Sequence, residues 1–171
     1  KTQVAVMYRT LDVCRQTYNL SLETKVVAYE NSKVHLSDAD LMKMYALESV
    51  GKSIVHSKVI QNVARRVMRS FQNFYDKRAR FPKFKSRRQY RSFTFVQSGF
   101  KVVGDRYLHL SYIGDVRIVL HRPIVGKIKS ITINRPDVRK RRTGGRRKQC
   151  YSTRNIIFCS SIKSFGSRNA R

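Results

Sequence analysis

Acidic side chains are what this sequence has least of. Asp and Glu together number 10 against 37 Lys and Arg, which leaves a net charge of +27 and a pI near 10.9. Most cations therefore have no carboxylate to pair with, and a site that holds metal ions between several carboxylates has little to be built from. Cysteine is sparser still. Cys14, Cys150 and Cys159 are odd in number, which argues against a disulfide scaffold. Cys150 and Cys159 stand too far apart for a Cys-x-x-Cys knuckle, and no second pair or nearby His completes a zinc site. Cys14 falls in a helical apolar stripe and reads as a buried thiol. No apolar run approaches the ~20 residues of a spanning helix, and the cations follow the whole chain rather than one amphipathic face, so a membrane is not the expected partner. No secretory signal is visible, which fits a reducing cytoplasm. The first residue is Lys rather than Met, so the N-terminus is expected to be trimmed or to lie upstream.

What is present is a core and a surplus of positive charge. Hydrophobic residues make up 41% of the chain, enough to exclude wholesale disorder and to fill one domain or two small lobes. A charge of this size repels itself in a compact monomer. A polyanion relieves that repulsion, and nucleic acid is the usual one because each neutralised phosphate releases condensed counterions.

Three helices are expected first. Val4, Tyr8, Leu11, Tyr18, Leu22 and Tyr29 fall at steps of three, four or seven, which predicts one helix over 4–29. Ser37 and Asp40 have the spacing of a capping box, and Leu36 and Leu41 that of a hydrophobic staple, so a second helix starts there. Gly51 weakens it near its end. A third helix runs from about Ser53 to Arg78 around the stripe Val55, Val59, Val63, Val67, Phe71 and Phe74 or Tyr75. Lys58, Arg65, Arg66, Arg69, Lys77 and Arg78 fall between these positions with too few acids to pair them, and read as phosphate contacts. Ser57, Gln61, Arg65 and Arg69 recur every four residues and share a face. Ser57 and Gln61, with Asn62 beside them, are candidates to read base edges.

The stretch 81–91 reads FPKFKSRRQYR, in which Pro82 stops the helix. Lys83, Lys85, Arg87, Arg88 and Arg91 are interleaved with Phe81, Phe84 and Tyr90. Cations beside aromatics suit a single strand, whose bases stack while its phosphates pair. The alternative is that Phe81 and Phe84 only anchor the linker to the helices. From Ser92 to Asn134 the period becomes two: Phe93 and Phe95, Val102 and Val103, Leu108 and Leu110, Val116, Ile118 and Leu120, then Ile131 and Ile133. Gly104-Asp105 marks a turn. About five short strands result, expected to close as a small antiparallel barrel. His121, beside Arg122 and Pro123, reads as a turn or phosphate contact rather than a metal ligand. Over 136–171 the charge clusters and apolar periodicity fades to Ile156–Phe158, which predicts an irregular basic tail that folding does not need.

These pieces together resemble a known family. Tyr18-Asn19, the helix QNVARRVMRSFQNFYDKR at 61–78, FPKFKSRR at 81–88 and IGDVRIVLHRPIVGKIKSITINR at 113–135 resemble the N-terminal half of TnpB, also called OrfB, the transposon-encoded relative of type V CRISPR effectors. The resemblance spans 4–135. It implies an RNA-guided DNA endonuclease whose N-terminal half is a helical recognition lobe set against an oligonucleotide-binding-like wedge barrel. Those parts grip guide RNA and the adjacent DNA motif. On that reading 1–80 is the helical lobe, 81–91 a basic aromatic linker, 92–135 the wedge-like barrel and 136–171 the tail, an α+β architecture. The third helix, through Ser57 and Gln61, helps read the DNA motif. Lys83, Lys85, Arg87 and Arg88 are expected to grip backbone, and Arg122, Lys127 and Lys129 of the HRPIVGKIK stretch are further nucleic-acid-binding candidates.

In the family, cutting belongs to a later RuvC-like domain with Asp, Glu and Asp ligands for Mg²⁺ and a structural Zn²⁺ ribbon. Here Asp137 is the only acid after Asn134, and there is no Cys-x-x-Cys pair. The expectation is a chain with no catalytic residues, metal or cofactor of its own, and with guide RNA and DNA as partners at a prokaryotic nucleoid. A fragment, a frameshifted gene and a shortened binding protein each fit, and the abrupt change at 136 favours the frameshift. A ribosomal-protein-like RNA binder and a helix-turn-helix repressor are the alternative functions.

Overall fold

Three helices precede a set of short antiparallel strands in the computed structural model: α1 (Thr2–Ser32), α2 (Asp38–Leu47), α3 (Ser57–Tyr75), β1 (Ser92–Val96), β2 (Phe100–Val103), β3 (Tyr107–Leu110), β4 (Gly114–Arg117), β5 (Ile128–Asn134), β6 (Ser152–Thr153), β7 (Ile156–Ile157) and β8 (Cys159–Ser164). The structure describes residues 2–47, 55–104, 106–118 and 128–135, together with the backbone of 152–153, 156–157 and 159–164. The expectations at Gly51, Asp105 and Leu120, and most of those for the tail, lie outside the described residues.

The buried stripe of α1 is Met7, Leu11, Cys14, Tyr18 and Leu22, continued by Lys25. Tyr8 and Tyr29, expected on that stripe, are instead exposed. The stripe is tighter than its large residues suggest because small polar side chains share it. Thr10, Thr17 and Ser21 are buried, and each donates its hydroxyl to the carbonyl four residues earlier, at 2.7–2.9 Å. That bond satisfies the hydroxyl within its own helix, so the face can pack without an orphaned polar group. Lys25 lays its stem in the core, sets its ammonium 5.2 Å from the Phe71 ring centroid and donates to the Leu36 carbonyl.

α1 ends at Ser32 because Lys33 adopts φ 55°, with its N–H returning to the Tyr29 carbonyl at 3.0 Å. The start of α2 follows its sequence signal: Ser37 N donates to Asp40 Oδ2 at 3.0 Å, and Asp40 N donates to Ser37 Oγ at 3.2 Å. α3 differs from expectation at both ends. His56 caps it, its Nδ1 accepting from Lys58 N at 3.2 Å. It stops at Tyr75 because Lys77, at φ 56°, takes the left-handed position that closes a Schellman turn: Lys77 N donates to the Phe74 carbonyl and Arg78 N to the Asn73 carbonyl. Of the expected stripe, Val59, Val63, Val67 and Phe71 are buried along the helix and Val55 just before its cap, whereas Phe74 is half-buried and Tyr75 exposed.

The strands do not close into a barrel, contrary to expectation. They form a sheet in the order β1-β5-β8, a second in the order β2-β3-β4, and a β6-β7 pair. β1 pairs with β5, Phe93 opposite Ile133 and Phe95 opposite Ile131, rather than with its sequence neighbour β2. The physical reason is that the helices already cover the apolar face. Phe93, Phe95, Leu108, Leu110, Ile113, Ile131 and Ile133 share one core with the α1 and α3 stripes, so burial needs no circular closure. The described segments of 136–171 are the strands β6, β7 and β8, of which β8 pairs with β5. Gly99, φ +86°, lies so close under His56 and Phe95 that a Cβ there would come within 3.0 Å of both rings. Among the described residues no helix is long and apolar enough to cross a membrane.

Candidate nucleic-acid interface

α3 carries two kinds of arginine. Arg66 turns inward over the edge of the first sheet. Its Nε donates to Asn62 Oδ1 at 3.0 Å, Nη1 to the Ser92 carbonyl at 2.7 Å and Nη2 to Thr94 Oγ1 at 2.7 Å. Thr94 in turn meets Thr132 Oγ1 at 2.9 Å. All three guanidinium nitrogens are thus committed to holding helix to sheet. Arg65 and Arg69 face solvent, with no ion pair or hydrogen bond among the described residues.

Above this Asn62–Arg66–Thr94–Thr132 network opens a groove of about 660 Å³ between α3, β1 and β5. Arg69 and Lys129 line it together with Gln97, Ser130 and Thr132, and among the described residues no acid does. Cations over hydroxyls and amides suit a phosphate-sugar backbone, which offers acceptors and negative charge.

Phe81, Lys85 and Tyr90 are among the points that pin the linker. Phe81 rests edge-on against Phe71 and Phe74, with centroids 5.8 and 5.3 Å away. Asn19 of α1 holds Lys85 as a strand partner would: Lys85 N donates to Asn19 Oδ1 at 2.8 Å and Asn19 Nδ2 donates to the Lys85 carbonyl at 3.1 Å. Tyr90 closes the far end, buried with its ring 6.0 Å from that of Tyr18. Between the pins, Lys83 and Phe84 face outward, and Phe84 is 58% exposed with no aromatic neighbour among the described residues. Phe81 is therefore an anchor, whereas Phe84 is a free platform beside cations.

The expected site residues divide accordingly. Ser57, Gln61, Arg65 and Arg69 share the outer face of α3, and Gln61 makes no hydrogen bond among the described residues. Asn62 and Arg66 are occupied with each other below that face. Lys58 is half-buried beside the His56 cap. Lys77 holds the helix end, and Arg78 pairs with Asp76. Lys83, Phe84 and Arg88 are exposed, Lys85 is half-buried, and Arg91 donates to the Arg88 carbonyl at 2.8 Å. Arg87 is bound to Asp12 at 2.8 Å. Tyr90, expected as a stacking residue, is a core residue because its ring fills the gap beside Tyr18 and Cys14. Lys129 lies on β5 at the groove; His121, Arg122 and Lys127 lie outside the described residues.

Sequence reasoning missed Thr94, Gln97 and Thr132, which only strand pairing brings to the groove. Burial lifts the Cys14 thiol to about 12 against the pull of Arg66, so at neutral pH it is an inert thiol. No protein-family model matches the chain, and no curated protein does.

Proposed function

We propose that this chain grips nucleic acid across the outer face of α3, the neighbouring groove and the 83–88 linker. The resemblance extends that reading to guide RNA and a short DNA motif, held as the N-terminal part of a TnpB-like RNA-guided endonuclease at a prokaryotic nucleoid. Cutting would then belong to a RuvC-like domain. The observation that carries the proposal is the set Arg65, Arg69, Lys83 and Arg88. These four cations are exposed and have no partner among the described residues, and Arg69 lines a groove to which no described acid contributes. Holding like charges together without carboxylates costs stability unless an external polyanion neutralises them.

The test is binding of single-stranded RNA and duplex DNA by the purified chain, followed by fluorescence anisotropy at rising salt. With roughly 6–10 phosphate contacts, affinity falls ~10³–10⁵-fold between 50 and 200 mM salt. A flat response rejects the proposal. Gln61→Ala separates readout from grip: in a chain joined to its nuclease partner domain it shifts preference among DNA motifs by ~1–3 kcal/mol. Unchanged preference removes Gln61 from the reading face and leaves the backbone grip standing.

A further inference from the structure

A second concavity, of about 230 Å³, opens between α1, the linker turn and the end of β5. Among the described residues four arginines line it, Arg9, Arg15, Arg87 and Arg135, with one carboxylate, Asp12. Asp12 is forked from two sides: Arg15 donates Nε and Nη2 to Oδ1 at 3.0 and 2.9 Å, and Arg87 donates Nε to Oδ1 at 3.2 Å and Nη2 to Oδ2 at 2.8 Å. Arg135 is held in place by two bonds, its N–H to the Arg91 carbonyl at 2.7 Å and its Nη2 to the Arg87 carbonyl at 2.8 Å. Arg9 is exposed and makes no ion pair or hydrogen bond among the described residues. One carboxylate among four guanidiniums leaves the site strongly positive, and a fork that fits carboxylate oxygens fits phosphate oxygens equally well.

Two further features narrow the ligand. The cavity is smaller than the ~300–1,000 Å³ of sites that enclose a drug-sized molecule, so it admits one phosphoryl group with its sugar and not a whole cofactor. Tyr8 presents a 39% exposed ring at its rim, in the position of a stacking platform.

We propose that this cavity binds one phosphoryl group of a single-stranded nucleic acid, with Asp12 keeping the arginines assembled and tempering their affinity while Tyr8 stacks the adjoining base. The inference rests on the nucleic-acid reading above and concerns a separate cavity that shares only Arg87 with the linker of that reading. The phosphoryl group is either a 5′ terminal phosphate or an internal diester, and the strands used in the test distinguish them.

The experiment measures binding of the full chain to a short single-stranded RNA carrying either a 5′ phosphate or a 5′ hydroxyl. Asp12→Asn keeps the shape and removes the competing charge, so affinity rises about fivefold. Arg9→Ala and Tyr8→Ala, both at exposed positions, lower it by a similar factor. If these effects appear only with the 5′ phosphate, the ligand is the strand end; if they appear equally with both strands, it is an internal diester. A purely structural Asp12 would lower the melting temperature of Asp12→Asn and leave binding unchanged or weaker. That result, with Arg9→Ala without effect, overturns the proposal. If Arg65→Ala and Arg69→Ala still weaken binding in that case, the broader reading survives; if the wild-type chain binds neither strand at 50 mM salt, both fall.

Discussion

The two arginine-lined concavities differ in what neutralises them. Beside α3, Arg66 is spent on neutral acceptors of the fold, and the neighbouring Arg65 and Arg69 meet no carboxylate among the described residues. Beside α1, a single acid is placed where two guanidiniums converge. Burial alone would raise the Asp12 carboxyl, but the hydrogen bonds from Arg15 and Arg87 outweigh it and hold it below the usual 3.8. Asp12 is therefore ionised wherever the protein is near neutral pH. In a chain this poor in acids, the placement of Asp12 separates the arginines it holds from Arg65 and Arg69, which no described residue holds.

Arginine substitutions on α3 break this contrast most sharply. Arg66→Ala strips hydrogen bonds from Ser92, Thr94 and Asn62 at once, and is expected to cost ~2–4 kcal/mol of stability. Arg65→Ala or Arg69→Ala is expected to change stability by less than ~0.5 kcal/mol while weakening nucleic-acid binding. Thermal melting and binding on the same three variants give the comparison, and equal melting shifts for all three would erase the distinction.

The linker pin comes next in size. Asn19→Ala leaves the Lys85 N–H and carbonyl without their partner and is expected to cost ~1–3 kcal/mol, read as faster amide exchange at Lys85 and easier proteolysis between 81 and 91. Asn19→Asp keeps the acceptor for the Lys85 N–H and loses the donor, so it falls between the two.

The smallest expected effect is on pH dependence. Burial, and then the charge of Lys58, hold the His56 imidazole below its ordinary 6.5. The folded state thus takes up this proton less readily than the unfolded chain. Its stabilising contribution is complete above pH 6.5 and is lost as pH falls through the lowered value. Melting temperature should drop between pH 7.5 and 5.5, and His56→Asn, a cap that does not titrate there, should flatten that drop. An unchanged slope would remove His56 from the acid response.

Much of this fold could be read in advance where the signal is local. The valines of α3 recur at helical spacing, and Ser37 and Asp40 carry their own capping chemistry. Phe93, Phe95, Ile131 and Ile133 alternate as half-buried strands do. What escaped depends on partners far along the chain. Asp12 and Arg87 are 75 residues apart, and Arg66 and Thr94 are 28 apart, so neither pair leaves a periodic trace. The barrel was expected because strands were legible but their pairing was not, and the covering of β1 by α1 and α3 is a tertiary event. His56 as a cap and Lys77 as a left-handed helix end are residue choices that local preference ranks low, so the limits of α3 shifted. At the candidate interface, cation positions are legible but their partners are not: Arg66 and Tyr90 belong to the fold, whereas Phe84 and Arg69 stand outside it.

The central claim is that the unpartnered cations of α3 and the linker are phosphate contacts. It is tested most directly by the slope of log affinity against log salt for duplex DNA. The wild type is compared with a chain carrying alanine at Arg65, Arg69, Lys83 and Arg88. At a slope of about −0.9 per neutralised phosphate, the quadruple variant should lose nearly four units of slope and keep its melting temperature within a few degrees. An unchanged slope in a folded variant would contradict the account.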